Sequence, residues 1–217
     1  MNKTLVSATG IAGASLFVFS AILGGFQLPN YSHISQFISE SYAIGTPYGK
    51  LLRYFGYIPS GIFLTIFAFG AANYFPKSNS IKIGFWGLGI FYGLATIMTS
   101  IFPCDQGCNK EMIDPSLSQL IHNLTGLFTY LFVPISLLLI GYGLGQYDKK
   151  TNFSKITIGA GLICILLVVV LLGNPLTIYA GLLQRLIEGT ILLWIVFCSI
   201  QLKNQKYETK GFSKAMV

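Results

Sequence analysis

The sequence has little charge: 10% of its 217 residues are Asp, Glu, Lys or Arg, whereas 53% are hydrophobic. An ordinary soluble domain carries about 25% charged residues, and a soluble fold of this length buries only about 70% of the surface of its chain. A soluble fold could therefore not hide so much apolar surface. The mean hydropathy of +0.66 also indicates that the lipid bilayer is the solvent that suits this chain.

The sequence also lacks linkers, because no Pro-, Ser- or charge-rich stretch, low-complexity tract or convincing repeat divides it. Apolar runs that can each cross a hydrocarbon core of about 30 Å occupy most of its length. They cover residues 5–26, 54–75, 81–102, 117–142, 153–173 and 182–202. We predict an all-α fold, one domain of six transmembrane helices over residues 1–217. No clear A-x-A cleavage site follows the first run, so we expect it to be retained.

A basic stripe that could bind nucleic acid is absent, although the net charge is +7. The basic residues cluster beside the apolar runs instead. If both termini and the second and fourth connections share one side of the membrane, that side holds most of the 14 Lys and Arg. The exceptions are Lys50, Arg53, Lys110 and Arg185. The positive-inside rule then predicts that both termini are cytoplasmic, and we expect membrane lipids rather than nucleic acid as partners.

Segments on the opposite, outer side carry the unusual polar side chains. The first contains the stretch YSHISQFISE, which as a helix places His33, Gln36 and Glu40 on one face. Ser35 and Ser39 flank that face. We predict a short amphipathic helix in this first outer loop, lying at the interface or capping the bundle. The alternative is a plain solvated face on a surface helix.

The second outer segment, FPCDQGC, contains Cys104 and Cys108 on either side of Asp105. Two cysteines outside the membrane can form a small disulfide loop in an oxidising compartment. A lone pair also lacks the second pair that makes a zinc site specific. We therefore expect a disulfide that holds the carboxylate of Asp105 in place, with metal ligation as the alternative.

The third outer segment is DPSLSQLIHNLTG, in which Asp114 and Pro115 predict a helix start with Asp114 as N-cap. Gln119, His122 and Asn123 follow at helical spacing. A polar stripe that enters an apolar span should face the bundle interior rather than lipid. His122 is therefore either a hydrogen-bonded structural residue or a functional one.

The fourth outer segment is GLLQRLIEG, where Arg185 and Glu188 have the i,i+3 spacing of an ion pair. Such a pair would anchor the last helix near the lipid headgroups. The functional interpretation is that Arg185 holds a lipid phosphate or carboxylate.

Ionisable residues are scarce in the spans themselves. The 2 histidines, His33 and His122, are both predicted at the outer end, and no Asp, Glu, Lys or Arg is expected near the middle of a span. Ion-driven transporters carry such residues or broken helices at the midplane. Their absence argues against an ion-driven pump and favours a site open to the outer side.

At these motifs the chain resembles the domain-of-unknown-function family 998 (DUF998). The stretches YSHISQFISE, FPCDQGC and GLLQR, with His122 and Asn123, carry the resemblance from the first helix to the last. Members are mainly prokaryotic integral membrane proteins of this helical type without an established activity. The resemblance therefore implies the fold, the topology and a location in a prokaryotic inner or plasma membrane rather than a function.

A looser comparison is with the CREST superfamily of membrane hydrolases, in which Ser, Asp and three His residues surround an intramembrane zinc ion. The matching residue types in this chain are Ser35 or Ser39, Asp105, His33 and His122. A three-His site is impossible with 2 histidines. The remaining metal hypothesis is a divalent ion held by His33, His122 and Asp105, because zinc also accepts carboxylate ligands.

The leading functional hypothesis is an outer site that binds, and in one version hydrolyses, a lipid or amphiphile. His122 would be the general base, oriented by Asp105, and a serine would be the nucleophile. The full catalytic candidates are His122, Asp105, Ser35, Ser39 and His33. The candidates for substrate contacts are Arg185, Glu40, Gln119, Asn123 and Glu188.

Two alternatives stand beside this hypothesis. The outer polar cluster could be non-catalytic, in a structural, sensor or partner-binding membrane protein. A b-type haem could instead be held between His33 and His122.

Overall fold

The structure, a computed structural model, describes residues 1–147 and 152–204. Six helices in this part of the chain are long and apolar enough to cross a membrane. They are α1 (Lys3–Phe26), α2 (Gly49–Ala71), α3 (Asn79–Ile101), α4 (Leu117–Tyr147), α5 (Asn152–Gly173) and α6 (Ala180–Asn204). The described residues contain no strand. The predicted all-α fold of six spanning helices is therefore confirmed, and the chain is a multi-pass membrane protein.

The orientation of the bundle in the membrane stays a prediction. Some of the lysines on which this prediction rests lie outside the described residues, namely Lys149, Lys150, Lys206, Lys210 and Lys214.

Two helices contain π-helical turns. The turn in α2 covers Arg53–Tyr57, and the turn in α3 covers Gly89–Leu94. Such turns are frequent at functional sites. The helix α2 begins at Gly49, earlier than the predicted start at residue 54. Arg53 therefore lies inside the helix, where its Nε donates to the Gly49 carbonyl at 3.3 Å.

The helix α4 begins at Leu117, and its cap is not the predicted one. Ser116 is the N-cap, since its hydroxyl accepts a hydrogen bond from the Gln119 N–H at 3.1 Å. Asp114 instead lies outside the helix with φ of 45°. The prediction of Asp114 as N-cap is wrong because Ser116 is fixed in the capping position by Asp105, which accepts from its N–H at 3.0 Å.

The first loop does not form the predicted amphipathic helix. It contains turns followed by a short 3₁₀ helix at Ile38–Tyr42. Contacts with α6 take the backbone groups that a helix would need: Arg185 donates to the carbonyls of His33 and Gln36, and the Ile38 N–H donates to the Gln184 side chain at 2.6 Å. The loop is therefore folded onto the bundle by α6 rather than by its own periodicity.

The helices pack as a ring in chain order, with α6 closing on α1. Small residues allow neighbouring helices to approach closely. A Cβ added at Gly61 of α2 would lie 2.8 Å from the Gly93 carbonyl of α3, and one at Gly84 would lie 2.7 Å from the Ser136 carbonyl of α4.

The two ends of the ring differ. At the termini end, the Tyr74 hydroxyl donates to the Met1 carbonyl and the Tyr147 hydroxyl donates to the Lys77 carbonyl. The opposite end, here called the loop end, consists of residues 27–48, 102–116 and 174–179. All four unusual segments of the sequence reach this loop end.

Aromatic side chains fill the space enclosed by the six helices toward the termini end. The ring centroids of Phe75 and Phe85 lie 5.2 Å apart, and those of Phe85 and Trp194 lie 6.3 Å apart. The Trp194 indole is fixed by a 3.0 Å hydrogen bond to the Thr157 hydroxyl. The interior toward the loop end is less completely filled, and the candidate site lies there.

Candidate functional site

A cavity of about 340 Å³ lies between the helices on the side of the loop end. The helices α1, α3, α4, α5 and α6 all contribute to its wall, as do the first two loops of the loop end. Its lining combines apolar side chains such as Phe17, Leu127 and Leu171 with a few polar ones. The polar members include Glu188, Tyr92, Tyr130, His122, Ser39, Asn123, Gln184 and Lys110.

Glu188 is buried on the cavity wall, 8% exposed, inside the span formed by α6. At 1.5 Å per residue it lies about 12 Å below Ala180 and about 6 Å from the middle of the helix. We expected no charged residue near the middle of a span and placed Glu188 close to the headgroups. The depth of Glu188 in the membrane stays a prediction, whereas the structure shows its side chain buried against side chains of two other helices.

Two tyrosines hold the Glu188 carboxylate. The Tyr92 hydroxyl donates to Oε2 at 2.8 Å, and the Tyr130 hydroxyl donates to Oε1 at 3.2 Å. Gln184 extends this network to the loop end, because its Nε2 donates to the Tyr130 hydroxyl at 2.9 Å while its Oε1 accepts from Ile38. A carboxylate offers about four acceptor positions, so Glu188 retains capacity to accept from a molecule in the cavity.

His122 also lines the cavity, and the end of α3 orients its ring. Its Nδ1 lies 3.1 Å from the Thr99 carbonyl oxygen and 2.9 Å from that of Phe102. Carbonyl oxygens only accept, so we assign the proton of the neutral ring to Nδ1, which leaves Nε2 as an acceptor. His122 therefore satisfies free carbonyls at the end of α3 and can still accept a hydrogen bond or a proton from the cavity.

Asp105 does not orient His122 as predicted. Its carboxylate accepts from the Ser116 hydroxyl at 2.5 Å and from the Ser116 N–H at 3.0 Å. These two hydrogen bonds hold the pKa of the Asp105 carboxyl below its ordinary value. The predicted pair is not formed because Asp105 bonds to Ser116 at the start of α4 while His122 bonds to the end of α3.

Of the two candidate nucleophiles, Ser39 lines the cavity and Ser35 does not. Cys104 and Cys108 form a disulfide, and the Ser39 hydroxyl oxygen lies 3.2 Å from the Cys108 sulfur. The Ser35 carbonyl accepts a hydrogen bond from Lys110 at 3.3 Å. The disulfide loop therefore packs directly against the buried Ser39.

Glu40 is buried, 6% exposed, and forms an ion pair with Lys110 at 2.8 Å. Its Oε1 also accepts from the Phe37 N–H at 2.8 Å, and its Oε2 accepts from Gln36 at 3.1 Å. Lys110 lines the cavity, with its amine 4.8 Å from the centre of the Phe37 ring. Glu40 thus joins the first and second loops of the loop end above the cavity.

Gln119 and Asn123 occupy different positions. Gln119 is fully buried and holds the disulfide loop, accepting from the Asp105 N–H at 2.7 Å and donating to the Cys108 carbonyl at 3.1 Å. Asn123 lines the cavity and accepts from Gln119 at 2.9 Å. Of these two residues, Asn123 is the one placed to contact a molecule in the cavity.

Arg185 and His33 lie outside the cavity, beside a groove of about 230 Å³ between α1 and α6. The Arg185 Nη1 donates to the carbonyls of His33 at 2.8 Å, Gln36 at 2.7 Å and Gly181 at 3.0 Å. Limited burial and then the charge of Arg185 lower the pKa of His33. The predicted ion pair between Arg185 and Glu188 is not formed among the described residues.

The candidate metal and haem ligands are not brought together. The described part of the chain contains no group of three or more His, Cys, Asp or Glu that could hold a metal ion. His33 lines the groove, His122 lines the cavity and Asp105 lines neither. The metal set of His33, His122 and Asp105 is thus not assembled, and the two histidines do not face one common space.

Tyr92 and Lys110 line the cavity but were not predicted as site residues. Tyr92 lies in an apolar run, where a tyrosine is an ordinary side chain and gives no signal. Lys110 was counted for topology alone, although a lysine next to the disulfide segment is a signal that could have been pursued.

Comparison with known proteins identifies a family but no characterised relative. The sequence model of a family described as "Protein of unknown function (DUF998)" matches residues 11–200. No curated protein and no solved structure matches the chain.

Proposed function

We propose that this chain, which belongs to the DUF998 family, binds one amphiphilic molecule, a lipid or lipid-like compound, in the cavity between its helices. The description of the family assigns no activity. The observation that carries this proposal is Glu188, a buried carboxylate that faces a cavity inside the membrane-spanning part of the bundle. In this proposal the loop end faces the outer side of the membrane.

The cost of burying Glu188 supports a ligand. A charged group costs several kcal/mol to bury, and even hydrogen-bonded partners offset this only in part. A purely structural carboxylate would be enclosed by its partners, whereas Glu188 has two tyrosine donors and an open cavity on the remaining side. Ionisable residues inside a membrane bundle commonly mark such ligand sites.

The rest of the lining defines the chemistry of the ligand. Phe17, Leu127 and Leu171 suit an apolar segment, and about 340 Å³ falls at the lower end of the range of ligand pockets. Glu188 and the Nε2 of His122 are both acceptors. The polar part of the ligand should therefore carry donors, such as hydroxyl or amine groups.

Hydrolysis of the bound amphiphile is the second candidate. It is favoured by one observation: His122, with an acceptor nitrogen available, and Ser39 line the same cavity. His122 would take the proton of the Ser39 hydroxyl, or of a water molecule, as that oxygen attacks the ester carbonyl carbon. It would then give the proton to the departing alcohol oxygen as the ester bond breaks. Ser35, Asp105 and His33 have no place in this version, because they lie outside the cavity.

Filling the cavity tests the proposal. Gly126 lines the cavity, and a Cβ added there meets no atom within 4 Å, so the side chain of Gly126→Leu should enter the space of the cavity. The matched control is Gly159→Leu on α5, where a Cβ also meets nothing within 4 Å but which does not line the cavity. The probe is monoolein, whose glycerol headgroup supplies hydroxyl donors, titrated onto the purified chain and detected by native mass spectrometry.

We expect Gly126→Leu to bind monoolein about tenfold more weakly, a loss of about 1.4 kcal/mol, and Gly159→Leu to match the wild type. Glu188→Gln, which keeps the shape of the side chain, should also bind more weakly. Equal affinity of Gly126→Leu and wild type contradicts binding in the cavity, as does a wild type that binds no hydroxyl- or amine-headed amphiphile. Release of oleate by the wild type, but not by His122→Gln, would support hydrolysis.

A further inference from the structure

The groove between α1 and α6 is a second recess on the same molecule. Its lining is apolar, with Val18 and Ile22 from α1 and Leu192 from α6, apart from His33, Arg185 and Glu188. Val18 and Ile22 are 43% and 48% exposed. Both lie within the membrane-spanning part of α1, so the medium that reaches this groove is the hydrocarbon of the bilayer.

A glycine keeps the groove open. Gly189 lines it, and a Cβ added at Gly189 would meet no atom within 4 Å. The neighbouring surface of α1 is formed by Ala21, another small residue. The small residues Gly189 and Ala21 therefore leave the groove unfilled by the side chains of its own two helices.

Arg185 marks the upper end of the groove with a positive charge. It lies about 7.5 Å into α6 from Ala180, close to the loop end of this span. Its Nη1 and one N–H of Nη2 bond to backbone carbonyls and to the Tyr31 hydroxyl, so Nε–H and the second Nη2–H have no partner among the described residues. No carboxylate pairs with it there either, since the ion pair that the described residues contain is Lys110–Glu40.

We infer that this groove holds one acyl chain of an anionic membrane lipid, with the lipid phosphate at Arg185. The free N–H groups of a guanidinium match phosphate oxygens in geometry and charge, and the apolar lining below Arg185 matches the chain. Glu188 also lines the groove, one helical turn deeper than Arg185, and its two oxygens accept from Tyr92 and Tyr130, which line the cavity and not the groove.

This lipid site is separate from the proposed cavity ligand. Phe17, Ile38 and Glu188 line both recesses and form the wall between them. The inference therefore does not depend on the proposed function, and each of the two sites can be filled by a substitution at its own glycine.

The test is lipid retention by the purified full chain. Native mass spectrometry would record binding from an equimolar mixture of dioleoyl phosphatidylglycerol and dioleoyl phosphatidylcholine. The wild type should retain phosphatidylglycerol preferentially. Gly189→Leu, which fills the groove, should lower that retention about tenfold, and Arg185→Gln should remove the preference for the anionic lipid. Gly159→Leu is the control and should behave as the wild type.

Several outcomes would overturn the inference. If Gly189→Leu retains as much phosphatidylglycerol as the wild type, the lipid is bound elsewhere and the inference is refuted. This comparison does not need Arg185→Gln, so it decides the inference even if that variant fails to fold. Loss of phosphatidylglycerol in Gly126→Leu instead would place the lipid in the cavity, which supports the proposed function and refutes the groove. A dimer that Gly189→Leu dissociates would show that a second copy of the chain, not a lipid, covers this face.

Discussion

Asp105 accepts hydrogen bonds from the Ser116 N–H and hydroxyl, and both bonds are stronger with the ionised carboxylate than with the neutral acid. They lower its pKa in the folded protein below the ordinary value of 3.8. A carboxyl group with a depressed folded pKa stabilises the protein fully above the unfolded pKa, and this contribution is lost as the pH falls through the folded pKa. The carboxylate also lies at the start of α4, where the helix dipole favours negative charge.

We therefore predict that Asp105→Asn lowers the melting temperature in detergent at about pH 7 and that this difference shrinks toward about pH 3. Thermal unfolding of wild type and variant across this range would measure it. Asp114→Asn is the control, because Asp114 lies in the same loop but its carboxylate accepts no hydrogen bond from the described residues. A constant difference between wild type and Asp105→Asn over the whole range would contradict the linkage.

Individual side-chain roles were only partly predictable. The stripe of Gln119, His122 and Asn123 was expected to face the interior because polar groups avoid lipid, and His122 and Gln119 are buried as expected. The partners of these residues were not predictable, since helical spacing gives a face but no neighbour. Glu188 shows the same limit, because its hydrogen-bond partners Tyr92 and Tyr130 come from two other helices.

The disulfide loop is the element on which several contacts of the loop end depend. Cys104 and Cys108 close it, and its neighbour Lys110 reaches Glu40 in the first loop. Closing a loop of about five residues stabilises a protein by roughly 2 kcal/mol in the chain-entropy model. In a chain of this length that corresponds to roughly 4–8 °C in melting temperature.

We predict that the double variant Cys104→Ser/Cys108→Ser melts lower than the wild type by about this amount, measured in detergent. A reductant should lower the melting temperature of the wild type toward that of the variant and leave the variant unchanged. An equal response of both proteins to the reductant would show that the disulfide does not stabilise the fold.

Elements were predictable where the signal is local. Each apolar run became a spanning helix because hydropathy and length alone require it in a bilayer. The structure of the first loop was not predictable in this way. Its amphipathic pattern is local, but its backbone is held by Arg185 and Gln184, which lie far away in the sequence. An amphipathic pattern with a period of 3.6 residues did not produce a helix here, because distant side chains bond to the backbone groups of the segment.

For the whole molecule, the ring of helices creates two unlike halves. The half toward the termini end is filled by aromatic rings, whereas the half toward the loop end contains the cavity and has the groove on its side. Both proposed ligands would therefore approach from the same leaflet. Which leaflet this is depends on the orientation of the bundle, which the distribution of Lys and Arg predicts.

We predict that the loop end is outside and the termini end is cytoplasmic, because the basic residues concentrate at the termini end. Asn174 at the loop end and Asn79 at the termini end are both exposed, and neither substitution to Cys changes a charge. In intact cells a membrane-impermeant maleimide should label Asn174→Cys, while Asn79→Cys should react only after permeabilisation. The native thiols of Cys164 and Cys198 are buried, so the unsubstituted chain serves as the background control. Labelling of Asn79→Cys alone in intact cells would show that the bundle has the opposite orientation. The Cys104–Cys108 pair would then lie in a reducing compartment, and both proposed sites would face the inner leaflet.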